Sequence, residues 1–93
     1  MNEETRKEVE KAAEVLIDAG AKAVYVFGSV AEGTDAPDSD LDLAVSGLPP
    51  EKYFRAIGDA IMAVSRRIDV IDLDHPNPFT QYLERKGKLL RVA

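Results

Sequence analysis

Cysteine is absent from the 93-residue chain, so disulfide staples and thiolate metal centres are excluded and a reducing compartment is compatible with it. No apolar run approaches the ~20 residues that a bilayer crossing requires. The charged start from Met1 to Glu8 predicts neither a secretory signal nor a membrane anchor, and the expectation is a cytoplasmic protein. A basic tract is missing too: 17 acidic residues against 12 basic ones leave a net charge of −5, which argues against direct nucleic-acid binding. Histidine occurs once, at His75 in a Pro-rich turn, where an exposed loop residue is expected.

What is present is an ordinary globular composition at a length suited to one domain, spanning residues 1–93. Val9, Ala12, Ala13, Leu16 and Ile17 recur with the spacing of one buried helix face, and Gly20 stands where a helix cap belongs. Ala23 to Phe27 is apolar at every position and reads as a strand covered on both faces. A second strand follows from about Asp40 to Ser46. A second helix runs from Pro50 or Glu51 to about Arg66, with Phe54, Ile57, Ile61 and Val64 forming its core stripe and Tyr53 and Ala60 beside it. Ile68 to Leu73 makes a third strand, Asn77 and Pro78 open a short helix that ends near Gly87, and Lys88 to Val92 form an edge strand. This order predicts an α/β (α+β) fold, a small sheet with helices packed against it; pattern alone leaves the strand directions open.

The chemistry concentrates between Gly28 and Leu43. The stretch is mainly loop, in which Ser29 to Glu32 can form one helical turn capped by Ser29. Glycine allows close backbone approach, and amides that open a helical turn, together with a serine hydroxyl, suit phosphate oxygens. Asp40 and Asp42 share one face of the second strand, with α-carbons roughly 6.5 to 7 Å apart. Paired carboxylates repel, and a hard divalent cation such as Mg²⁺ is the usual compensation. Two other motifs fail on residues their chemistry needs. Gly28-xxxx-Gly33 is followed by Thr34 where a P-loop requires lysine, and an EF-hand loop begun at Asp38 would have Leu43 and Pro49 where glycine and glutamate belong.

Gly28-Ser29 followed by Asp40-x-Asp42, with an aspartate on a later strand, resembles the minimal nucleotidyltransferase family of the DNA polymerase β superfamily. The resemblance spans nearly the whole chain. It implies a nucleotidyltransferase fold in which Asp40, Asp42 and a third aspartate hold two Mg²⁺ ions, while Gly28 and Ser29 grip a nucleoside triphosphate, ATP by analogy. Asp69 and Asp72 fall on opposite faces of the third strand, so only one can join the pair. Asp69-Val70-Ile71 matches the family context, which assigns Asp69 as third metal ligand and base and leaves Asp72 as a charge at the strand's end. The resemblance further implies transfer of AMP onto a tyrosine hydroxyl of a HEPN-domain protein, with this chain as the antitoxin of the pair.

One departure matters. Many members carry arginines where this chain has Val30-Ala31-Glu32, and a glutamate beside a triphosphate is repulsive. Lys22 and Arg67 are candidate compensating cations. Glu32 keeps open a second reading, a non-catalytic binding module that neutralises a partner by contact.

Overall fold

In the computed structural model, which describes residues 1–36 and 38–93, the Asn2 side chain accepts a hydrogen bond from the Thr5 amide at 2.8 Å and starts α1 (Glu3–Asp18). Such a cap satisfies one of the amides that a helix start leaves without an intrahelical partner. Val9, Ala12, Ala13 and Leu16 are buried along one stripe, as their spacing requires. The chain then forms β1 (Ala23–Phe27), α2 (Gly28–Glu32), β2 (Leu41–Ser46), a 3₁₀ turn at Pro50–Lys52, α3 (Tyr53–Ala63), β3 (Ile68–Asp72), α4 (Pro78–Arg85) and β4 (Leu90–Arg91).

The four strands make one mixed sheet in the order β3-β2-β1-β4. β1 pairs antiparallel with both β2 and β4, whereas β2 and β3 run parallel, the crossover between them being supplied by α3. Alternation assigns each strand's side chains to two environments. Val24, Val26, Leu41, Leu43, Val45 and Ile68 pack with the α1 stripe and with Ala56 and Ala60 of α3. Full burial of side chains the size of Leu41 and Leu43 contributes about 1.5–3 kcal/mol each. Phe27 and Ala44 face the other way, against Leu83 of α4, with Tyr25 and Ile71 beside them.

Two helical expectations are corrected. α3 ends at Ala63, before Arg66, and its core stripe is built on Ala56 and Ala60. Phe54 and Ile61, expected in the core, are exposed, and Ile57 and Val64 are only half-buried. The small alanines let α3 lie close to α1 and the sheet, which leaves the bulkier stripe on the far side. α2 likewise starts one residue before Ser29: its cap is Phe27, without a side-chain hydrogen bond, so Ser29 lies inside the helix. By contrast Asn77 caps α4 as expected, accepting from Thr80 N at 3.0 Å while Thr80 Oγ1 accepts from Asn77 N at 2.9 Å. Among the described residues no helix is long and apolar enough to cross a membrane.

Candidate functional site

Three side chains line up across the sheet. Asp42 on β2 is in register with Phe27 on β1 and with Asp69 on β3, so Phe27, Asp42 and Asp69 form one row on the face away from α1 and α3. Asp40 precedes β2 by one residue, two positions from Asp42. Asp72 lies opposite Val45, three residues further along β3 than Asp69. Its carboxylate closes a local turn, accepting from Asp74 N at 2.9 Å and lying 2.7 Å from Nδ1 of the exposed His75. Asp72 also helps, after burial, to push the Tyr53 phenol above its ordinary range, which places it towards α3.

Asp42 is the electrostatic centre of the row. Its carboxyl is raised from its ordinary value, first by burial and then by the charges of Asp69 and Asp40. Among the described residues no cation is paired with Asp42. Asp40 instead stands 4.0 Å from Arg67 Nε, and Asp69 is exposed. Among the described residues no three His, Cys, Asp or Glu side chains converge into a ready-made metal cage. The donors are nevertheless those a hard cation takes, and the desolvation and repulsion at Asp42 are what a bound cation would relieve.

The turn after β1 leans on the same carboxylate. Gly28 has φ +71°, and a Cβ placed there would overlap Asp42 Oδ2. Position 28 therefore needs glycine twice, for its conformation and for the approach of Asp42. α2 then runs only to Glu32 before Gly33 ends it in the left-handed conformation.

Arg66 anchors the loop that carries the chain from α2 into β2, and the sequence pattern offered no sign of this. Its guanidinium donates from Nε to Ser39 O at 2.8 Å, from Nη1 to Thr5 Oγ1 at 2.7 Å, and from Nη2 to Asp35 Oδ2 and Ala36 O, both at 3.2 Å. Arg66 and Asp35 are 9% and 8% exposed, so the pair is buried. It ties α1, the loop and the entry to β3 together one residue before Asp40.

A cavity of about 490 Å³ opens beside Asp42. Phe27, Phe79, Tyr82 and Leu83 form its apolar side, with Phe27 and Phe79 edge to face at 5.7 Å; Gly28, Asp42, Glu32 and Lys88 complete it. This volume lies within the range of small-molecule sites, about 300–1,000 Å³. Lys88 Nζ stands 3.8 Å from Glu32 Oε1. The cation facing Glu32 is thus Lys88, 56 residues away in sequence. Lys22 precedes β1 at the other end of that strand, roughly 16 Å from Phe27 by strand rise, and is removed from the site. Arg67 lies at the site's edge beside Asp40.

The family described as polymerase beta, nucleotidyltransferase, matches residues 10–92. A solved structure assigned as a minimal nucleotidyltransferase superposes with a TM-score of 0.71 at 26% identity, covering 96% of this chain and 91% of its own. A toxin–antitoxin crystal structure with AMP-PNP gives 0.68 at 20% identity over 92% of this chain and 70% of its own. A MntA–HpeT toxin–antitoxin variant with two Asp-to-Glu substitutions gives 0.66 at 16% identity, covering 98% of this chain and 71% of its own. At those lower identities the likeness is one of fold. Among curated proteins none matches significantly.

Proposed function

The chain belongs to the polymerase beta nucleotidyltransferase family, and from that premise we propose that it transfers a nucleoside monophosphate, AMP from ATP, to a hydroxyl of a protein partner. The observation that carries this reading is Asp42, in register with Asp69, pressed against Gly28 and with its carboxyl raised from its ordinary value. Asp40, Asp42 and Asp69 would hold Mg²⁺, two ions by family analogy, which supplies charge neutralisation at the phosphates and at the attacking oxygen. Gly28 and Ser29 bind phosphate oxygens at the start of α2, and the Phe27, Phe79 and Tyr82 wall takes the apolar face of the nucleoside. Lys88 offsets Glu32 so that the triphosphate does not meet an unbalanced carboxylate.

In the transfer, the acceptor oxygen forms a bond to the α-phosphorus as the bond from that phosphorus to the β-phosphate bridging oxygen breaks. Pyrophosphate leaves with that electron pair. The acceptor's proton passes to Asp69, which is exposed and so able to meet a macromolecular hydroxyl. The toxin–antitoxin neighbours support a toxin as that partner and an antitoxin role for this chain, with a HEPN-domain protein and its tyrosine as the specific expectation. One observation favours a second reading, masking of the partner by contact: Glu32, a repulsive carboxylate for a triphosphate, lines the same cavity as Asp42.

The experiment is incubation with α-labelled ATP, Mg²⁺ and the protein encoded beside this one. Label on the partner with wild type, and none with a folded Asp42→Ala variant, supports transfer. Neutralisation of the partner without label overturns it in favour of masking.

A further inference from the structure

Gly58 is in the middle of α3 without an intramolecular reason to be there. Among the described residues a Cβ built on it meets nothing within 4 Å, its φ is not in the left-handed region, and a mid-helix glycine is less stable than alanine. It is also surrounded by unpartnered apolar surface. Phe54 is 88% exposed and Met62 85%, four residues to either side of Gly58, with Ile61 exposed beside them. Helical spacing puts Phe54, Gly58, Ile61 and Met62 on one outward stripe. Arg55 and Asp59 flank the stripe on one side, and among the described residues neither takes part in an intramolecular ion pair.

An exposed mid-helix glycine suits the close approach of another backbone. Two further properties identify the occupant. Phe54 and Met62 stand four residues to either side of Gly58, so an antiparallel copy crossing there sets Phe54 against Met62 and glycine against glycine. The same two-fold operation brings Arg55 of one copy within reach of Asp59 of the other, so the flank is complementary to itself. We propose that the chain forms a homodimer through α3, crossing at Gly58. This surface lies on the opposite side of the sheet from Asp42, so the proposal stands independently of the nucleotide site.

The test is sedimentation velocity on the full chain over a concentration series. Wild type is expected to dimerise, and Gly58→Leu, which meets open space within its own fold, to weaken the dimer tenfold or more with melting temperature of the monomer unchanged or raised. Arg55→Glu weakens it as well, and Arg55→Glu combined with Asp59→Arg restores it, because the swapped charges again face each other across the two-fold. Wild type that remains monomeric to about 1 mM, the limit of weak association, overturns the proposal. So does a dimer indifferent to Gly58→Leu, or one that the double charge swap leaves broken. A monomer whose stripe is covered only in complex with a different protein overturns it in favour of that partner.

Discussion

The carboxylate of Asp42 occupies the space that a side chain at position 28 would need: a Cβ on Gly28 overlaps Asp42 Oδ2, and the Gly28 backbone is left-handed at φ +71°. Gly33 shares the conformation, with φ +76°, but faces open space. Gly28→Ala is expected to cost about 2–4 kcal/mol, conformational penalty and overlap together, and Gly33→Ala only about 1–2 kcal/mol. Urea unfolding of both variants measures the difference. Equal costs would mean that the Asp42 contact is unimportant.

Asp42 itself is expected to trade stability for function. Its carboxyl is raised in the fold, so its folded form is favoured when protonated: the stabilising state is fully present below the ordinary carboxylate value of 3.8 and is lost as pH rises through the raised value. Asp42→Asn removes this half-buried charge. It should therefore melt higher than wild type at pH 7, with the gap closing towards pH 3. A variant that melts lower at pH 7 would contradict the assignment of Asp42 as a charge strained by burial and by its neighbours.

Lys88 and Glu32 make opposite predictions at one site. Their pair is solvent-exposed and at 3.8 Å, hence weak and readily exchanged. Lys88→Ala should weaken ATP binding roughly three- to tenfold, while Glu32→Gln should strengthen it by a similar factor, consistent with one charge–phosphate interaction. Calorimetry with Mg²⁺ present reads both. Parallel changes in the two variants would show that the pair acts only through folding.

Arg66 organises the loop into β2 from a buried position, paired with Asp35 at 3.2 Å. Arg66→Ala strands that carboxylate and is expected to cost about 3–5 kcal/mol. Replacing both partners, Arg66→Met with Asp35→Leu, should recover much of the loss. Thermal unfolding of the single and double variants decides whether the pair or the individual residues matter.

Much of this fold was legible because local pattern and tertiary role agree. The α1 stripe, the all-apolar β1 and the Asn77 cap are each dictated within a few residues. The failures have physical causes. α3 is apolar on two sides, and periodicity cannot tell whether Phe54 or Ala56 meets the sheet; packing of small residues against α1 decides it. Ser29 has the composition of a cap, yet the turn forced by Gly28 starts α2 a residue earlier. Arg66 with Asp35, and Lys88 with Glu32, are contacts between residues far apart in the chain, which no local pattern encodes. Strand parity allowed only one of Asp69 and Asp72 to join Asp42, and the family resemblance, not parity, chose Asp69, the one that stands in register with it.

Titration of ATP into the protein by calorimetry, with Mg²⁺ and then with excess chelator, is the most direct test of the site at Gly28, Asp40, Asp42 and Asp69. The expected result is binding that requires Mg²⁺ and disappears in Asp42→Asn at an unchanged circular dichroism spectrum. Equal ATP binding by wild type and Asp42→Asn, or binding indifferent to Mg²⁺, would contradict it.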